Sequence, residues 1–157
     1  MRIVILIAAL GSGLIAGTFF VFSVAIMGAL GRMTASEGMR AMQSINVVIL
    51  NPLFLGVFLG AGLVSAILFV AGVFRFGQPG WKYLIAGSVL YIVGSILVTI
   101  VFNVPMNNTL AAADPASPAG QEAWRNYLAN WTFWNHVRTI ASLASSAAFI
   151  LGLYFSR

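Results

Sequence analysis

The segment from Trp131 to Thr139, WTFWNHVRT, holds the densest set of chemically capable side chains in the sequence. It contains the only histidine, His136, together with Asn135 and Arg138. Histidine exchanges protons most readily near neutral pH, and an amide and a guanidinium are strong hydrogen-bond donors. An apolar run, IASLASSAAFILGLYF, follows at once. The segment therefore marks the point where a helix end rich in polar groups enters an apolar environment.

Helical spacing divides these side chains between two faces. One stripe, which should face a bundle interior, contains Trp131, Asn135, Arg138, Ser142, Ser145 and Phe149. His136 lies about 200° around a regular helix from Arg138, so one pocket cannot take both unless the helix is distorted. Two interpretations stay open for Arg138: an interior site, or a side chain that reaches the lipid headgroups. For His136, a structural role at the membrane surface is the alternative to catalysis.

The sequence predicts no metal site. Zinc or non-haem iron needs three or more histidine, cysteine or carboxylate ligands, and the chain has one histidine and no cysteine. Such a site would have to combine His136 with Glu37, Asp114 or Glu122 from separate loops. Catalytic triads, phosphate-binding loops and paired carboxylates are also absent from the sequence.

The elements that hold these residues should be membrane-spanning helices. The chain is 61% hydrophobic and 7% charged, whereas a soluble domain carries about 25% charged residues. Four apolar stretches, at about residues 3–30, 46–74, 81–103 and 133–156, are each long enough to cross a bilayer. They use nearly all of the 157 residues, so we expect one integral membrane domain over 1–157. The scattered basic residues form no patch for nucleic acid.

The expected fold is all-α: a four-transmembrane-helix up-down bundle with short amphipathic interfacial helices in the 1–2 and 3–4 connections. Between spans three and four, SPAGQEAWRNYLANW begins with a helix-start pattern and repeats aromatic residues at helical spacing. Between spans one and two, RMTASEGMRAMQSIN is expected to form a similar helix. The sequence RFGQPGW predicts a tight turn between spans two and three.

Small residues spaced by four predict close contacts between helices. They are Gly13 and Gly17, Gly56 and Gly60, and the series Ala144, Ala148 and Gly152. We interpret them as packing seams within the bundle, and contact with a second copy of the chain through one of these faces is the alternative. The other expected partner is the lipid bilayer.

In an up-down bundle, the end of span one, the start of two, the end of three and the start of four share one membrane face. Most polar side chains of interest fall there: Gln43, Asn46, Asn51, Asn103, Asn107, Asn108, Asn135, His136 and Arg138. The asparagines suit substrate contact or the repair of helix ends near Pro52 and Pro105 equally well. The basic residues divide almost evenly, and we expect a bacterial inner-membrane protein with both termini cytoplasmic.

Four short strings occur in order along the chain: GTFFVFS in span one, MQSIN and NP leading span two, NVPMNNTLA after span three, and WTFWNHVRTIASLAS opening span four. Together they resemble the anthrone oxygenase-like family of small four-helix membrane proteins, over essentially the whole chain. The resemblance implies an oxygenase that converts anthrones, which are fused-ring polyketides, to anthraquinones with O2 and no dedicated cofactor. An anthrone that loses a ring-methylene proton becomes a delocalised anion able to reduce O2. The protein would need a base, an anion stabiliser and an apolar slot.

Carried over to the matching positions, the resemblance assigns roles to individual residues. Arg138 and Asn135 would stabilise the developing oxyanion, and His136 would be the base. The implied substrate-binding residues are Asn103, Asn107, Trp131, Trp134, Phe19, Phe22, Ser23, Gln43 and Asn46. The substrate would be a lipophilic polycyclic aromatic molecule, and O2 would be the co-substrate of this monooxygenase.

Two other functions would use the same features. A binding or transport module for a quinone-like lipophile would hold the molecule without consuming O2. A structural membrane subunit would use its polar cluster to satisfy helix ends and to contact a partner. Oxygen uptake separates the oxygenase from the binding module, and substitutions in the cluster would affect assembly rather than ligand affinity in a structural subunit.

Overall fold

The computed structural model describes residues 1–156, which form five helices joined by short connections. They are α1 (Arg2–Leu30), α2 (Ala35–Val48), α3 (Pro52–Phe74), α4 (Trp81–Ala112) and α5 (Pro118–Phe155). The described residues contain no β-strand, so the predicted all-α fold is confirmed. Arg157, the last residue of the expected domain, lies outside the described residues.

Four of these helices, α1, α3, α4 and α5, are long and apolar enough to cross a membrane. The α5 helix packs against α1 and α4, and α3 packs against the same two helices. Large apolar side chains point outward along the helices, including Leu10 (66% exposed), Leu63 (65%) and Leu143 (61%). Helices with apolar surface inside and outside are suited to lipid. The protein is therefore an integral membrane helix bundle.

The second span begins at Pro52 rather than near residue 46. Proline disfavours helical backbone at the residue before it, and Asn51 is extended there, with φ −76° and ψ 157°. Its Oδ1 atom accepts the backbone N–H groups of Leu53 and Phe54 at 3.1 and 3.0 Å. Its Nδ2 atom donates to the carbonyl of Val48 at 3.0 Å. Of the two roles considered for this asparagine, the structure shows the repair of helix ends.

The third span continues to Ala112 rather than ending near residue 103. Pro105 would disturb a regular helix because it lacks an N–H group and crowds the preceding turn. Over Thr99–Asn103, however, the backbone pairs residue i with i+5, and the N–H of Val104 bonds to the carbonyl of Thr99. The helix therefore meets the proline directly after a wide turn and continues through it.

The fourth span begins well before residue 133, because it is the C-terminal part of a single 38-residue helix. The interfacial helix expected in the 3–4 connection is thus not a separate element. No glycine or proline interrupts the sequence between Gln121 and Phe133, so the helix continues into the span. At 1.5 Å per residue α5 is about 57 Å long, nearly twice the thickness of the hydrocarbon layer. The separate helix expected in the 1–2 connection is present as α2.

The long helices extend past the bundle at one end, where they form a head with α2; we define the head as residues 27–51 and 104–131. Its buried core contains Met27, Leu30, Met39, Met42, Leu110, Trp124, Tyr127 and Trp131. The chain's three acidic residues, Glu37, Asp114 and Glu122, are all exposed on its surface. A charged surface around an apolar core places the head in water or among lipid headgroups.

Side-chain hydrogen bonds hold α2 in the head. Thr34 and Glu37 form a reciprocal cap: the N–H of Glu37 donates to Thr34 Oγ1 at 3.4 Å, and the N–H of Thr34 donates to Glu37 Oε2 at 3.2 Å. Bonds from the side chain and backbone of Thr34 lower the pKa of the Glu37 carboxyl. At the other side, Gln43 Nε2 donates to the carbonyls of Leu110 and Ala113 at 2.8 and 3.2 Å. The end of α4 is thereby tied to α2.

Some of the small residues spaced by four face another helix, and others face outward. Gly13 lies against the hydroxyl of Ser146, and Gly152 is buried against α4. Gly56 and Gly60 have open space where a side chain would project, in a groove on the lipid-facing side of α1 and α3. The expected contact with a second copy stays a prediction.

Candidate functional site

Arg138 lies where the bundle meets the head. Its side chain is only 5% exposed, which differs sharply from an arginine that reaches the headgroups. Nη1 donates to Thr99 Oγ1 at 3.2 Å, and Nη2 donates to Asn135 Oδ1 at 2.7 Å. Of the two interpretations left open by the sequence, the structure shows the interior one.

Two aromatic rings cover the guanidinium of Arg138. Its Cζ atom lies 4.2 Å from the ring centre of Phe19 and 5.0 Å from that of Trp131. Cation–π contacts offset part of the cost of taking the charge out of water. The ring of Phe19 in turn contacts Phe58 at 6.2 Å between centres, which continues the aromatic surface onto α3.

Asn135 orients the arginine and joins α5 to α1. Its Nδ2 atom donates to the carbonyl of Phe19 at 2.8 Å and to Ser23 Oγ at 2.7 Å. One turn further, the hydroxyl of Thr139 donates to the carbonyl of Asn135 at 2.8 Å and lies 3.3 Å from Ser23 Oγ. Because α1 uses the amide nitrogen, the amide oxygen is available to accept from Arg138.

Wide helical turns surround this pair. The backbone pairs residue i with i+5 at Phe22–Ile26 in α1 and at Ile92–Leu97 and Thr99–Asn103 in α4. Such turns are rare and often occur at functional sites. Two of them contain the direct partners of the Asn135–Arg138 pair, Ser23 and Thr99. The local backbone geometry is therefore irregular where the polar contacts are made.

No carboxylate lies within salt-bridge distance of Arg138 in the part of the chain that the structure describes. The acidic residues are in the head, and one of them, Glu122, pairs with the exposed Arg125. A buried cation is costly unless it is paired, so the site is electrostatically suited to an anion. Among residues 1–156, no three His, Asp or Glu side chains are grouped so that they could hold a metal ion.

A cleft opens beside Arg138 between the bundle and the head. Its cavity volume is about 90 Å³, less than the roughly 300–1,000 Å³ of typical small-molecule sites, and the cleft is partly open to its surroundings. Its lining is Thr18, Phe19, Phe22, Met42, Ile45, Asn46, Ile49, Leu50, Phe54, Phe58, Thr99, Val104, Asn107, Trp131 and Arg138. Arg138 is the one ionisable side chain among these residues. The cleft is thus an apolar slot with a single positive charge.

A hydrogen-bonded tyrosine lies at the head side of the cleft. The hydroxyl of Tyr127 donates to Asn107 Oδ1 at 2.8 Å and accepts from Asn46 Nδ2 at 3.4 Å. Its ring stacks between Trp124 and Trp131, with ring centres 5.8 and 5.6 Å away. These contacts join the cleft wall to the core of the head, so the position of both asparagines depends on the head.

The structure brings most of the expected site residues together. Arg138, Phe19, Phe22, Asn46, Asn107 and Trp131 line the cleft. Asn135 and Asn103 bond to residues that line it, and Ser23 bonds to Asn135. The other three expected residues lie apart from this group: Gln43 bonds to the end of α4, Trp134 stacks on Phe102, and His136 is exposed on α5. The separation of His136 from Arg138 that helical spacing predicted is thus observed.

Sequence reasoning missed part of the site. Thr99 accepts a hydrogen bond from Arg138 within a wide turn that the sequence pattern does not reveal. Leu50, Phe54 and Phe58 supply apolar walls and carry no polar signal. One feature of the sequence could have indicated these walls, namely the Asn-Pro pair at 51–52. A helix break at this pair lets α2 turn back over the cleft.

Comparison with known proteins identifies a family. The anthrone oxygenase family matches residues 51–148, well over half of the chain. The matched segment contains Thr99, Trp131, Asn135 and Arg138, whereas Phe19 lies outside it. No curated protein and no solved structure shows significant similarity to the chain. The match over α3, α4 and most of α5 shows that the chain belongs to the anthrone oxygenase family.

Proposed function

We propose that the protein is a membrane oxygenase that oxidises an anthrone-like polycyclic aromatic substrate with O2. Membership of the family supports the reaction class. The observation that carries the proposal is the buried Arg138, a cation beside an aromatic-lined cleft, with no carboxylate partner among the described residues. An anthrone anion is flat and apolar and places much of its charge on one oxygen. Its flat ring system therefore suits the apolar cleft, and its charged oxygen suits the cation of Arg138.

Ionisation of the substrate is the step that the site would assist. Loss of a methylene proton gives an anion whose charge is shared with the ketone oxygen, and Arg138 would pair with that oxygen. Asn135 would hold the guanidinium in place. Arg138 is the one ionisable residue of the lining and His136 is exposed, so we propose that the proton passes to water. The cleft would then bind the ionised form of the anthrone in preference to the neutral form, which shifts the equilibrium towards the anion.

The proposed reaction needs no dedicated cofactor because the substrate anion is itself the reductant. It gives one electron to O2, and the resulting carbon radical and superoxide combine at the former methylene carbon. The peroxide takes up a proton, and loss of water then forms the quinone. One oxygen atom enters the product and the other leaves in water, which is the stoichiometry of a monooxygenase.

Oxygen uptake by the purified protein, supplied with a simple anthrone, tests this function. We expect uptake above the uncatalysed rate, and we expect Arg138→Met to lower turnover by about 10²- to 10³-fold, the effect of removing one preorganised oxyanion donor. Arg125→Met is the matched control, because it makes the same change at an exposed position of the same helix.

Each alternative function gives a different result in this experiment. Full turnover in a folded Arg138→Met variant would contradict the assigned role of Arg138. A co-purified lipophile without oxygen uptake would identify a binding module. Absence of both signals, together with loss of assembly when the polar cluster is changed, would identify a structural subunit.

A further inference from the structure

We infer that Trp131 and Arg138 form a subsite for the reduced-oxygen anion, superoxide and the peroxide that follows it, beside the position of the aromatic substrate. The inference rests on the oxygenase function proposed above. It assigns a ligand to two hydrogen-bond donors that the protein itself leaves unused.

The unused donors are Trp131 Nε1 and Arg138 Nε. Both atoms are buried and have no partner within the protein, and each side chain is 5% exposed. Buried N–H groups are nearly always bonded, and the exceptions call for a ligand or a functional explanation. Two such exceptions on residues of one cleft point to a ligand that accepts hydrogen bonds.

The two donors belong to side chains in direct contact. The Cζ atom of Arg138 lies 5.0 Å from the ring centre of Trp131, and both residues line the cleft. Nη1 and Nη2 of Arg138 each donate one of their two N–H groups, to Thr99 and Asn135, whereas Nε donates none. Trp131 is held as well, because Asn103 Nδ2 donates to its carbonyl at 3.3 Å. Both side chains are therefore held in place, and because each donor atom is fully buried, an anion would reach it by displacing the atoms that now cover it.

The positive charge of Arg138 favours an anion, and the reaction generates a small one. One electron leaves the substrate anion for O2, so the negative charge moves from the substrate to dioxygen. Donors whose side chains are already held in place stabilise such a charge. Superoxide then forms the C–O bond with the substrate radical, the peroxide takes a proton from water, and the hydroperoxide loses water to give the quinone.

Stacking alone does not explain a tryptophan at position 131. A phenylalanine would offer an aromatic face to the substrate but no N–H group. Trp131→Phe therefore separates the two roles. Trp124→Phe is the matched control, because Trp124 is also buried, lies two turns earlier on α5 and belongs to the same aromatic stack.

Azide is the probe, since it is a small linear anion with the charge of superoxide, and its infrared stretching band reports hydrogen bonding. We expect a displaced band of bound azide in the wild type and in Trp124→Phe. In Trp131→Phe we expect azide to bind about 10- to 100-fold more weakly, the usual effect of losing a hydrogen bond to a charged group. In wild-type turnover, azide should inhibit competitively with O2, and because it pairs with the same guanidinium as the anthrone anion it should also weaken anthrone binding. Neither result requires a variant to fold.

Turnover gives the second readout. We expect Trp131→Phe to release superoxide, detected by cytochrome c reduction, while its KM for the anthrone stays near that of the wild type. Unchanged azide affinity and no superoxide release in Trp131→Phe would overturn the subsite, even if the protein oxidises anthrones. Azide inhibition that a higher O2 concentration does not relieve would overturn it too. Trp131-dependent azide binding in a protein that oxidises no anthrone would support the anion site and overturn the oxygenase function.

Discussion

At the scale of single residues, Asn135 orients Arg138 without neutralising its positive charge. A carboxylate in its position could also accept from Arg138 Nη2, but it would neutralise the cation. The amide orients the guanidinium across 2.7 Å and leaves its charge available to a ligand. The preference for an anionic substrate thus depends on an uncharged neighbour.

Asn135→Asp tests this charge argument. We expect the KM for an anthrone to rise at least about tenfold, because the new carboxylate competes with the substrate anion for Arg138. Asn130→Asp, an exposed change on the same helix, should leave the KM unchanged. Steady-state oxygen uptake measures both, and an unaltered KM in Asn135→Asp would show that the substrate does not bind as an anion at this arginine.

The sequence identified the residues of this cluster but not the position of Arg138 relative to the membrane surface. Spacing along α5 placed Asn135, Arg138 and Ser142 on one face, and all three are buried. Whether Arg138 lies inside or reaches the headgroups depends on the length of α5 and on the head that covers it. Those features come from tertiary packing, and a pattern of residue types does not contain them.

At the scale of elements, the corner between α2 and α3 gives the cleft its lipid-side wall. Leu50 lies in this corner, lines the cleft and is 62% exposed. A lipophilic substrate dissolved in the bilayer would meet this apolar edge first. We therefore expect substrate access beside Leu50.

Leu50→Trp should narrow that access. We expect kcat/KM for an anthrone in membranes to fall at least about fivefold, while oxidation of a smaller one-ring analogue changes less. Leu53→Trp is the control, because Leu53 is 80% exposed and does not line the cleft. Equal kcat/KM values in the two variants, measured in nanodiscs, would place the access elsewhere.

The cap at the start of α2 should matter for stability. Thr34→Ala removes the reciprocal bonds with Glu37 and should lower the free energy of unfolding by about 1 kcal/mol. Because these bonds lower the pKa of Glu37 in the folded protein, their contribution is present at neutral pH and is lost as the pH falls through that lowered pKa. Thermal unfolding in detergent measures both effects, with Ser44→Ala as an exposed control on α2. A stability difference that does not become smaller in strong acid would contradict the account, because only the bonds to the Glu37 carboxylate depend on its ionisation.

For the whole molecule, apolar length and composition were enough to predict four spans in one bundle. Their ends were less predictable. Hydropathy suggested that the end of α2 continues into α3, but the helix breaks before Pro52. Pro105, in contrast, does not end α4, because a wide turn precedes it. The head has its own core, which hydropathy alone does not distinguish from an interfacial anchor. Since the cleft lies between head and bundle, its shape could not be predicted without these features.

The distribution of basic residues between the two ends of the molecule predicts its orientation in the membrane. With Arg138 in the interior, the described residues have three basic residues at the terminal face, Arg2, Arg75 and Lys82, and three at the head, Arg32, Arg40 and Arg125. The sequence adds one more, Arg157, after the end of α5. We expect both termini on the cytoplasmic side and the head on the opposite side. A fluorescent protein fused after residue 157 should then be bright and an alkaline phosphatase fusion inactive. The reverse pattern would invert the orientation.

The central claim is that the cleft binds its substrate as an anion held by Arg138. An anaerobic spectral titration tests it most directly, because an ionised anthrone absorbs at longer wavelength than the neutral form and cannot react without O2. We expect the ionisation midpoint of the bound anthrone to fall by about 1–3 pH units relative to the free molecule in the wild type and in Arg125→Met, but not in Arg138→Met. The same midpoint for bound and free anthrone in the wild type would contradict the account.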